Sequence, residues 1–473
     1  MTTGAARCSG VPLGVEWWDD ELRSTDPLGF PGYQPPEPAD ESVRTALVTL
    51  GGCPAVWIDC DFSRVGGTMG AVAGERIVRA VDAGRHRRVP VVQTVSSGGA
   101  RLQEGMVALL QMPRTVSAFA RHAAAGLMSA VYLRSPATGG VFASFASVAD
   151  VRAAEPGAVI GFGGPRVVAE VTGNYPPAPS HTAESALRNG LVDALVEPQR
   201  CWDWLAAAVG AAPGARLVPP PGRPGGPDRS PPSAVPYAHL LRARGSARPS
   251  GVEWAAWITD SWVELAGPDP AVRAGLASID GQRVAVVAMD RFAGLARPGA
   301  PGPAAYRTAQ RAIRLADRLG LPLLTVVDTP GADPSAESEA GGIAGEIART
   351  LLAMAELRAA SVGLVVGEGG SGGAVALAHT DRLLMLSGSA FTVIGPEAGA
   401  AILHRWRSRT AELAAAFRLR AADLRELGVA DQVVAEDVTE VRAAVAGALA
   451  AAVPGARDVR ADAVTAAALR EPA

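Results

Sequence analysis

The sequence predicts an α/β fold that occurs twice in one chain. Three observations carry this reading. Segments repeat at a nearly constant long spacing, apolar strand-like runs alternate with helix-like stretches, and glycine clusters close several of those runs. LPLLTVVDTPGA (321–332) has the character of RVPVVQTVSSGGA (88–100), and VGLVVGEGGSGGAVALAHTD (362–381) echoes VYLRSPATGGVFASFASVAD (131–150). FTVIGPEAG (391–399) echoes AVIGFGGPR (158–166). Pro90 and Pro322 lie 232 residues apart, Gly140 and Gly373 233, and Ile160 and Ile394 234. A period that long marks a duplicated domain and not a short solenoid repeat.

The elements follow in order. Residues 1–45 are polar and proline-rich, with PLGFPGYQPPEP near their end, and read as an arm outside the core. The first globular unit runs over 46–210. AVWIDCD, RVPVVQTV and SAVYL are strand-like, AGERIVRAVDAG and MVALLQMPRTVSAFARHAAAG are helix-like, and a last helix begins near Trp202. Residues 211–250 contain ARLVPPPGRPGGPDRSPPSAV, whose proline and glycine density breaks helix and strand alike, so they read as a linker and lead-in. The second unit spans 251–460. There VAVVAMD (284–290), LPLLTVVD (321–328) and VGLVVG (362–367) are strand-like. AYRTAQRAIRLADRLG (305–320) puts Ala309, Ala312, Ile313 and Ala316 on one helical face and closes on glycine. AGEIARTLLAMAEL (344–357) is the next helix, and 461–473 is a tail. Strand–helix–strand runs at this spacing predict right-handed crossovers and strands buried on both faces.

Composition narrows the chemistry. The chain has 473 residues, 48% hydrophobic and 19% charged, with a net charge of −3. Two domains fit that length, and the charge gives no reason to expect nucleic acid. No lysine occurs in the sequence, so all 44 basic side chains are arginine. That excludes Schiff-base chemistry and a lysine phosphate clamp. Cys8, Cys53, Cys60 and Cys201 lack C-x-x-C spacing, and the six histidines show no H-E-x-x-H, so no metal is expected. The first residues, MTTGAARCSGVPLG, do not read as a signal peptide, and the alanine-rich stretches are too short to span a membrane. A cytoplasmic location is expected.

The glycine turns are the candidate site. Ser97-Gly98-Gly99-Ala100-Arg101 and Thr138-Gly139-Gly140-Val141 close strands in the first unit; Pro330-Gly331-Ala332 and Gly369-Gly370-Ser371-Gly372-Gly373-Ala374 close strands in the second. A strand that ends in glycine and restarts as a helix leaves N–H groups aimed at one spot, which suits a developing oxyanion. None of the clusters fits G-x-G-x-x-G, a P-loop or a G-x-S-x-G elbow. Glu104, Glu337, Glu339 and Glu397 are candidate acids, but no pair or triad stands out, and Glu368, just before GGSGG, reads as structural. Many aimed amides without a clear base fit a reaction whose base comes from the substrate or cofactor, such as enolate-forming acyl transfer.

These segments resemble the carboxyltransferase component of biotin-dependent acyl-CoA carboxylases. DFSRVGGTMGAVAGERIVRA (61–80), SSGGARLQEGMVALLQMPRT (96–115), residues 137–168, NGLVDALV (189–196) and TDPLGFPGY (25–33) are similar to the β subunit of bacterial acetyl-CoA carboxylase. Residues 306–335, 366–403 and 424–436 are similar to its α subunit. The resemblance implies tandem crotonase-like ββα-superhelix domains. It implies a homodimer or a multiple of one, with the site between the first half of one chain and the second half of another. Acyl-CoA would lie on the first half. Carboxybiotin, on a separate biotinyl carrier protein charged by a biotin carboxylase, would enter from the second. The expected catalytic groups are the backbone amides of Gly98, Gly99, Gly139 and Gly140 on the acyl side, and of Gly331, Ala332, Gly372 and Gly373 on the biotin side. Arg101, Gly369, Gly370 and Ser371 are expected on the cofactor-binding surface. Two roles are open for Arg101: a CoA phosphate contact, or pairing with an acid such as Glu104. Pairing is favoured, since an unpaired arginine in a first helical turn opposes the helix dipole.

The expected reaction is transfer of a carboxyl group from carboxybiotin to the α carbon of acetyl-CoA or propionyl-CoA. A malonyl-type decarboxylase and a carboxyltransferase for a secondary-metabolite substrate are the alternatives. The sequence departs from the family at four places. Only Cys8 precedes Asp26, where a four-cysteine zinc ribbon is usual. MDRFAGLAR replaces a lysine-containing segment. Asp333 and Ser335 stand where tyrosine and glycine are usual, and ARPGAPGPAA replaces an asparagine-rich loop.

Overall fold

The structure is a computed structural model and describes residues 13–18, 21–26, 28–228, 230–404 and 409–468; Cys8 lies outside them. The chain divides into two compact units, Met1–Gly214 and Ala215–Ala473. Among the described residues each unit contains one eight-stranded sheet.

In the first unit the strands are β1 (Leu13–Trp18), β2 (Val43–Leu50), β3 (Cys53–Cys60), β4 (Val91–Ser97), β5 (Ser129–Thr138), β6 (Val151–Ala154), β7 (Ile160–Gly161) and β8 (Ala194–Leu195). They run in the order β1-β2-β3-β4-β5-β6-β8, with β7 pairing onto the end of β5. In the second they are β9 (Ser261–Leu265), β10 (Val272–Ile279), β11 (Gln282–Met289), β12 (Leu323–Thr329), β13 (Ser361–Gly370), β14 (Arg382–Leu386), β15 (Ala390–Thr392) and β16 (Gln432–Val434). Their order, β9-β10-β11-β12-β13-β14-β16 with β15 on β13, repeats the first strand for strand. The expected duplication is therefore present as one topology built twice.

The central strands are parallel and fully buried. Every residue of β4, β12 and β13 is buried, as expected where helices cover both faces of a parallel sheet. The helix Pro303–Leu319 shows why these segments fold as they do. Proline opens it, Gly320 closes it in the left-handed region, and Ala309, Ala312, Ile313 and Ala316 turn onto the core. Among the described residues no single helix is long and apolar enough to cross a membrane.

Three features differ from the sequence reading. Each sheet opens antiparallel, through β1-β2-β3 and β9-β10-β11. Two-residue turns make this possible: Gly51-Gly52 has φ of 51° and 83°, and Asp280-Gly281 has 49° and 78°. That pair of left-handed residues matches the twist of a hairpin. The expected arm also contributes structure, since β1 pairs with β2. Finally, the proline-rich stretch after Gly214 is built into the second unit. It forms the helix Pro236–Ala243, and Arg223, Arg244 and Arg248 pair with Asp290, Glu368 and Glu436 at 2.7, 2.7 and 2.9 Å.

Candidate active site

The same interruption shapes both units. Between β4 and β5 the ladder slips after Val95 and resumes with Ser97 opposite Ala137. Between β12 and β13 it slips after Val327 and resumes with Thr329 opposite Gly369. Ser97 and Thr329 therefore correspond, 232 residues apart. Each hydroxyl pins its turn in one way. Ser97 Oγ donates to the Gly67 carbonyl and accepts from Gly99 N–H at 3.0 Å. Thr329 Oγ1 donates to the Gly299 carbonyl at 2.6 Å and accepts from Gly331 N–H at 3.1 Å.

This register corrects the sequence alignment. β5 ends at Thr138 and the helix starts at Gly139; β13 ends at Gly370 and the helix starts at Ser371. Gly139 and Ser371 both have left-handed φ, 66° and 58°. Gly140 thus corresponds to Gly372, not to Gly373, and the spacing is again 232. Likewise Ala137 faces Ile160 and Gly369 faces Phe391. Ile160 consequently corresponds to Phe391, not Ile394.

The predicted amides divide into spent and available. Gly98 N–H donates to the Gly66 carbonyl at 2.9 Å, Gly139 N–H to that of Phe162 at 2.8 Å, and Gly99 and Gly331 to the hydroxyls above. These four were expected to donate to substrate; instead they hold the turns. The amides left are those of Ala100 and Ala332, for which no acceptor is present among the described residues, and those of the helix starts. Gly140 is the second residue of the short helix Gly139–Val141. Gly372 and Gly373 are second and third in Ser371–Ala378. First-turn amides have no acceptor within their own helix.

The two parts of each turn touch. A Cβ built on Gly140 would lie 3.6 Å from Ala100 N, and one on Gly373 only 2.8 Å from Ala332 N. Each unit therefore presents a neighbouring pair of free donors, Ala100 with Gly140 and Ala332 with Gly372 or Gly373. Although Ala332, likewise not a glycine, was expected, Ala100 was missed. Its 232-residue match to Ala332 is the signal that finds it. Gly369 and Gly370 lie within β13, where a Cβ would strike the Phe391 ring at 2.1 Å or the Pro330 carbonyl at 2.0 Å, so they permit close packing.

Arg101 answers the choice left open by the sequence. It is 1% exposed. Its guanidinium bonds both carboxylate oxygens of Glu41, Glu104 at 3.1 Å, Ser42 Oγ at 3.2 Å and the Thr68 carbonyl at 2.9 Å. Nε donates to Thr68 Oγ1 at 3.3 Å. No donor is left to face a phosphate, so its expected place among the cofactor-binding residues gives way to that of a clamp. Burial works to raise the Glu41 carboxyl, but the Arg101 bonds outweigh it and hold the group below the usual range. Burial pushes the neighbouring Tyr33 hydroxyl up to about 12. Glu104 also accepts from Ala71 N–H at 2.6 Å and Tyr33 at 2.9 Å, which commits it to structure. Glu368 and Glu397 both pair with Arg244, at 2.7 and 2.8 Å, while Glu337 and Glu339 are exposed on the helix Ala336–Ala340. Among the described residues no three His, Cys, Asp or Glu side chains cluster to hold a metal ion.

The comparisons agree with this duplicated plan. Residues 31–216 match the family described as carboxyl transferase domain, and residues 235–453 the family described as acetyl co-enzyme A carboxylase carboxyltransferase-like. The chain is 40% identical to the acetyl-coenzyme A carboxylase carboxyl transferase subunits beta/alpha of Salinispora arenicola, over 88% of this chain and 79% of that protein. It is 37% identical to a probable biotin-dependent acyl-coenzyme A carboxylase beta3 subunit of Mycobacterium bovis, over 84% and 80%. Among solved structures it resembles the transcarboxylase 12S hexamer crystallised with methylmalonyl-coenzyme A, with a TM-score of 0.77 and 21% identity, covering 98% of this chain and 88% of that one. The chain belongs to the carboxyltransferases of biotin-dependent acyl-CoA carboxylases, with a β-like and an α-like unit in one polypeptide.

Proposed function

We propose that this carboxyltransferase moves a carboxyl group from carboxybiotin, on a separate biotinyl carrier protein, to the α carbon of acetyl-CoA or propionyl-CoA. The observation that carries the reading is the pair of donor sites. Carboxyl transfer between a thioester and a ureido ring develops negative charge on two carbonyl oxygens, and each unit offers one pair of free amides. A decarboxylase needs only one such site, so the duplication favours transfer.

Ala100 and Gly140 would hold the thioester oxygen as the acyl group becomes an enolate. Ala332 and Gly372 would hold the ureido oxygen. The donor set fits that group, because Gly372 has open space around its Cα, with nothing within 4 Å of a built Cβ. When bound, carboxybiotin supplies the carboxyl group and the base that takes the α-proton, which accounts for acids committed to arginines. This chain's own contribution is then orientation and fixed dipoles at both oxygens. The protein is proposed to act in the cytoplasm as a homodimer or a multiple of one, served by a biotin carboxylase. In that assembly the first unit of one chain would face the second unit of another.

The test is labelled carboxyl exchange between carboxybiotin and a set of acyl-CoAs, with acyl-CoA binding followed by calorimetry. Exchange with a short acyl-CoA is the expected result. Tight CoA binding together with decarboxylation, but no exchange in either direction, would defeat this reading.

A further inference from the structure

A charged cavity lies beside the second turn, and the turn amides do not account for it. It has a volume of about 350 Å³ and is lined by Arg244, Arg291, Arg297, Pro298, Asp328, Pro330 and Glu368. Asp328 is the residue before Thr329, at the slip between β12 and β13. Its Oδ1 accepts from Glu368 N–H at 3.2 Å. Its Oδ2 is buried without a hydrogen-bond partner, and so is Arg291 Nε. These two atoms lie 3.6 Å apart, near enough to attract but too far to bond directly. The rest of the Arg291 guanidinium is fixed by the carbonyls of Ala243, Gly245 and Arg248. Gly367 leaves room for the pair, since a Cβ there would sit 2.2 Å from Asp328 Oδ1.

Charge decides what the cavity takes. Arg244 is balanced by Glu368 and Glu397. Among the described residues Arg291 is balanced by Asp328 alone, at 3.6 Å. Arg297 is exposed, and among the described residues its side chain has no partner. Three arginines thus face Glu368, Glu397 and Asp328, a sum of zero with Asp328 ionised and of one positive charge with it neutral. The cavity holds an exposed cation at its rim and an orphaned donor, with the Asp328 carboxyl group as the adjustable member. We propose that this cavity binds a small carboxylate anion of the formate–bicarbonate class, held by Arg297 and Arg291 and answered by the Asp328 carboxyl group. The inference deepens the proposed function and rests on it for its purpose, because the group in transit there is a carboxyl group. Its test does not use that reaction.

The site has a built-in pH response. Burial raises Asp328 to about 7, opposed by Arg291, the Glu368 N–H and Arg248 and assisted by Asp290. The groups facing it are Asp290 and Arg291 after β11, Arg244 and Arg248 ahead of the helix Gly251–Ile258, Glu368 on β13, and Arg297 at the rim. Asp290 is itself bonded to Arg223 at 2.7 Å. An entering carboxylate meets a neutral carboxyl below pH 7 and a like charge above it. Binding above pH 7 must then draw a proton, and affinity should fall with a slope approaching about tenfold per pH unit.

The experiment titrates formate into the whole chain between about pH 6 and pH 8.5, in two buffers of different ionisation enthalpy. Formate does not titrate in that range. The expected result is binding with proton uptake that weakens above pH 7. Arg297→Ala should weaken it about tenfold or more, whereas the exposed control Arg216→Ala should not. Asp328→Asn should retain binding and lose the pH slope. Absence of formate binding in the parent, equal binding in Arg297→Ala, or a pH-independent affinity in the parent overturns the inference. Failure here with carboxyl exchange intact leaves the proposed function standing. Formate binding without exchange sinks the proposed function and keeps the site.

Discussion

The two units share a strand order and a hydroxyl pin, yet what surrounds the pin differs. In the first, the turn runs into Arg101, caged by Glu41, Glu104 and Thr68. In the second, the position 232 residues on is Asp333, which accepts from Ser335 Oγ and from Ser335 N–H at 2.6 and 3.2 Å and so seats the start of Ala336–Ala340. Just before the pin, Ser96 donates to the Ser135 carbonyl at 2.9 Å, where the second unit puts Asp328. The backbone donors are common to both, and the charge around them is not. The fold thus supplies the amide pair, while side chains next to it set each turn's rigidity and electrostatics.

Breaking the cage should have the largest effect. Arg101→Ala leaves Glu41 and Glu104 buried without their cation, and should cost about 3–5 kcal/mol in chemical denaturation. A loss below 1 kcal/mol would mean that the cage is ornamental. Next comes the donor pair. Gly372→Val keeps its N–H but fills the open space beside it, where the ureido group would sit. It should lower carboxyl exchange by about 10²–10³-fold, as much as losing an oxyanion contact, with acyl-CoA binding unchanged by calorimetry. Gly140→Val should instead act through the acyl-CoA side. Equal loss of CoA binding in both variants would erase the division of labour.

The pins should be interchangeable in weight. Ser97→Ala and Thr329→Val each leave a buried N–H and a carbonyl unpaired, and should each cost about 1–3 kcal/mol. Thermal unfolding of the two variants gives the comparison directly, and a neutral Thr329→Val would show that the second turn does not need its hydroxyl. Smallest is Asp333→Ala, which removes only a local turn bond and should cost about 0.5–1 kcal/mol. A penalty as large as that of Arg101→Ala would make Asp333 more than a local support.

The duplication, the parallel core strands and the glycine turns were legible because each leaves a local pattern. The register was not fully legible. Matching glycine to glycine pairs Gly140 with Gly373, whereas the left-handed slot is filled by Gly139 in one unit and by Ser371 in the other. The spent amides were also hidden, because the bonds between Ser97 and Gly67 and between Thr329 and Gly299 span 30 residues. The antiparallel start of each sheet turned on two-residue turns that composition alone does not separate from loops. Asp328 showed nothing in sequence beyond a carboxylate at a strand end. Its orphaned oxygen depends on Arg291 and Gly367, which approach only in the folded unit.

The hairpins at Gly51-Gly52 and Asp280-Gly281 bear on how the chain folds as well as on what it becomes. Parallel strands must wait for a crossover, and the loop closure slows them. A two-residue turn brings its strands together with little chain entropy lost. Each unit thus has, near its own beginning, a local nucleus onto which later strands add in sequence order. As the chain leaves the ribosome, β2 and β3 can pair well before β13 has been made. The second hairpin is synthesised only after every strand of the first sheet, which separates the two starting points in time.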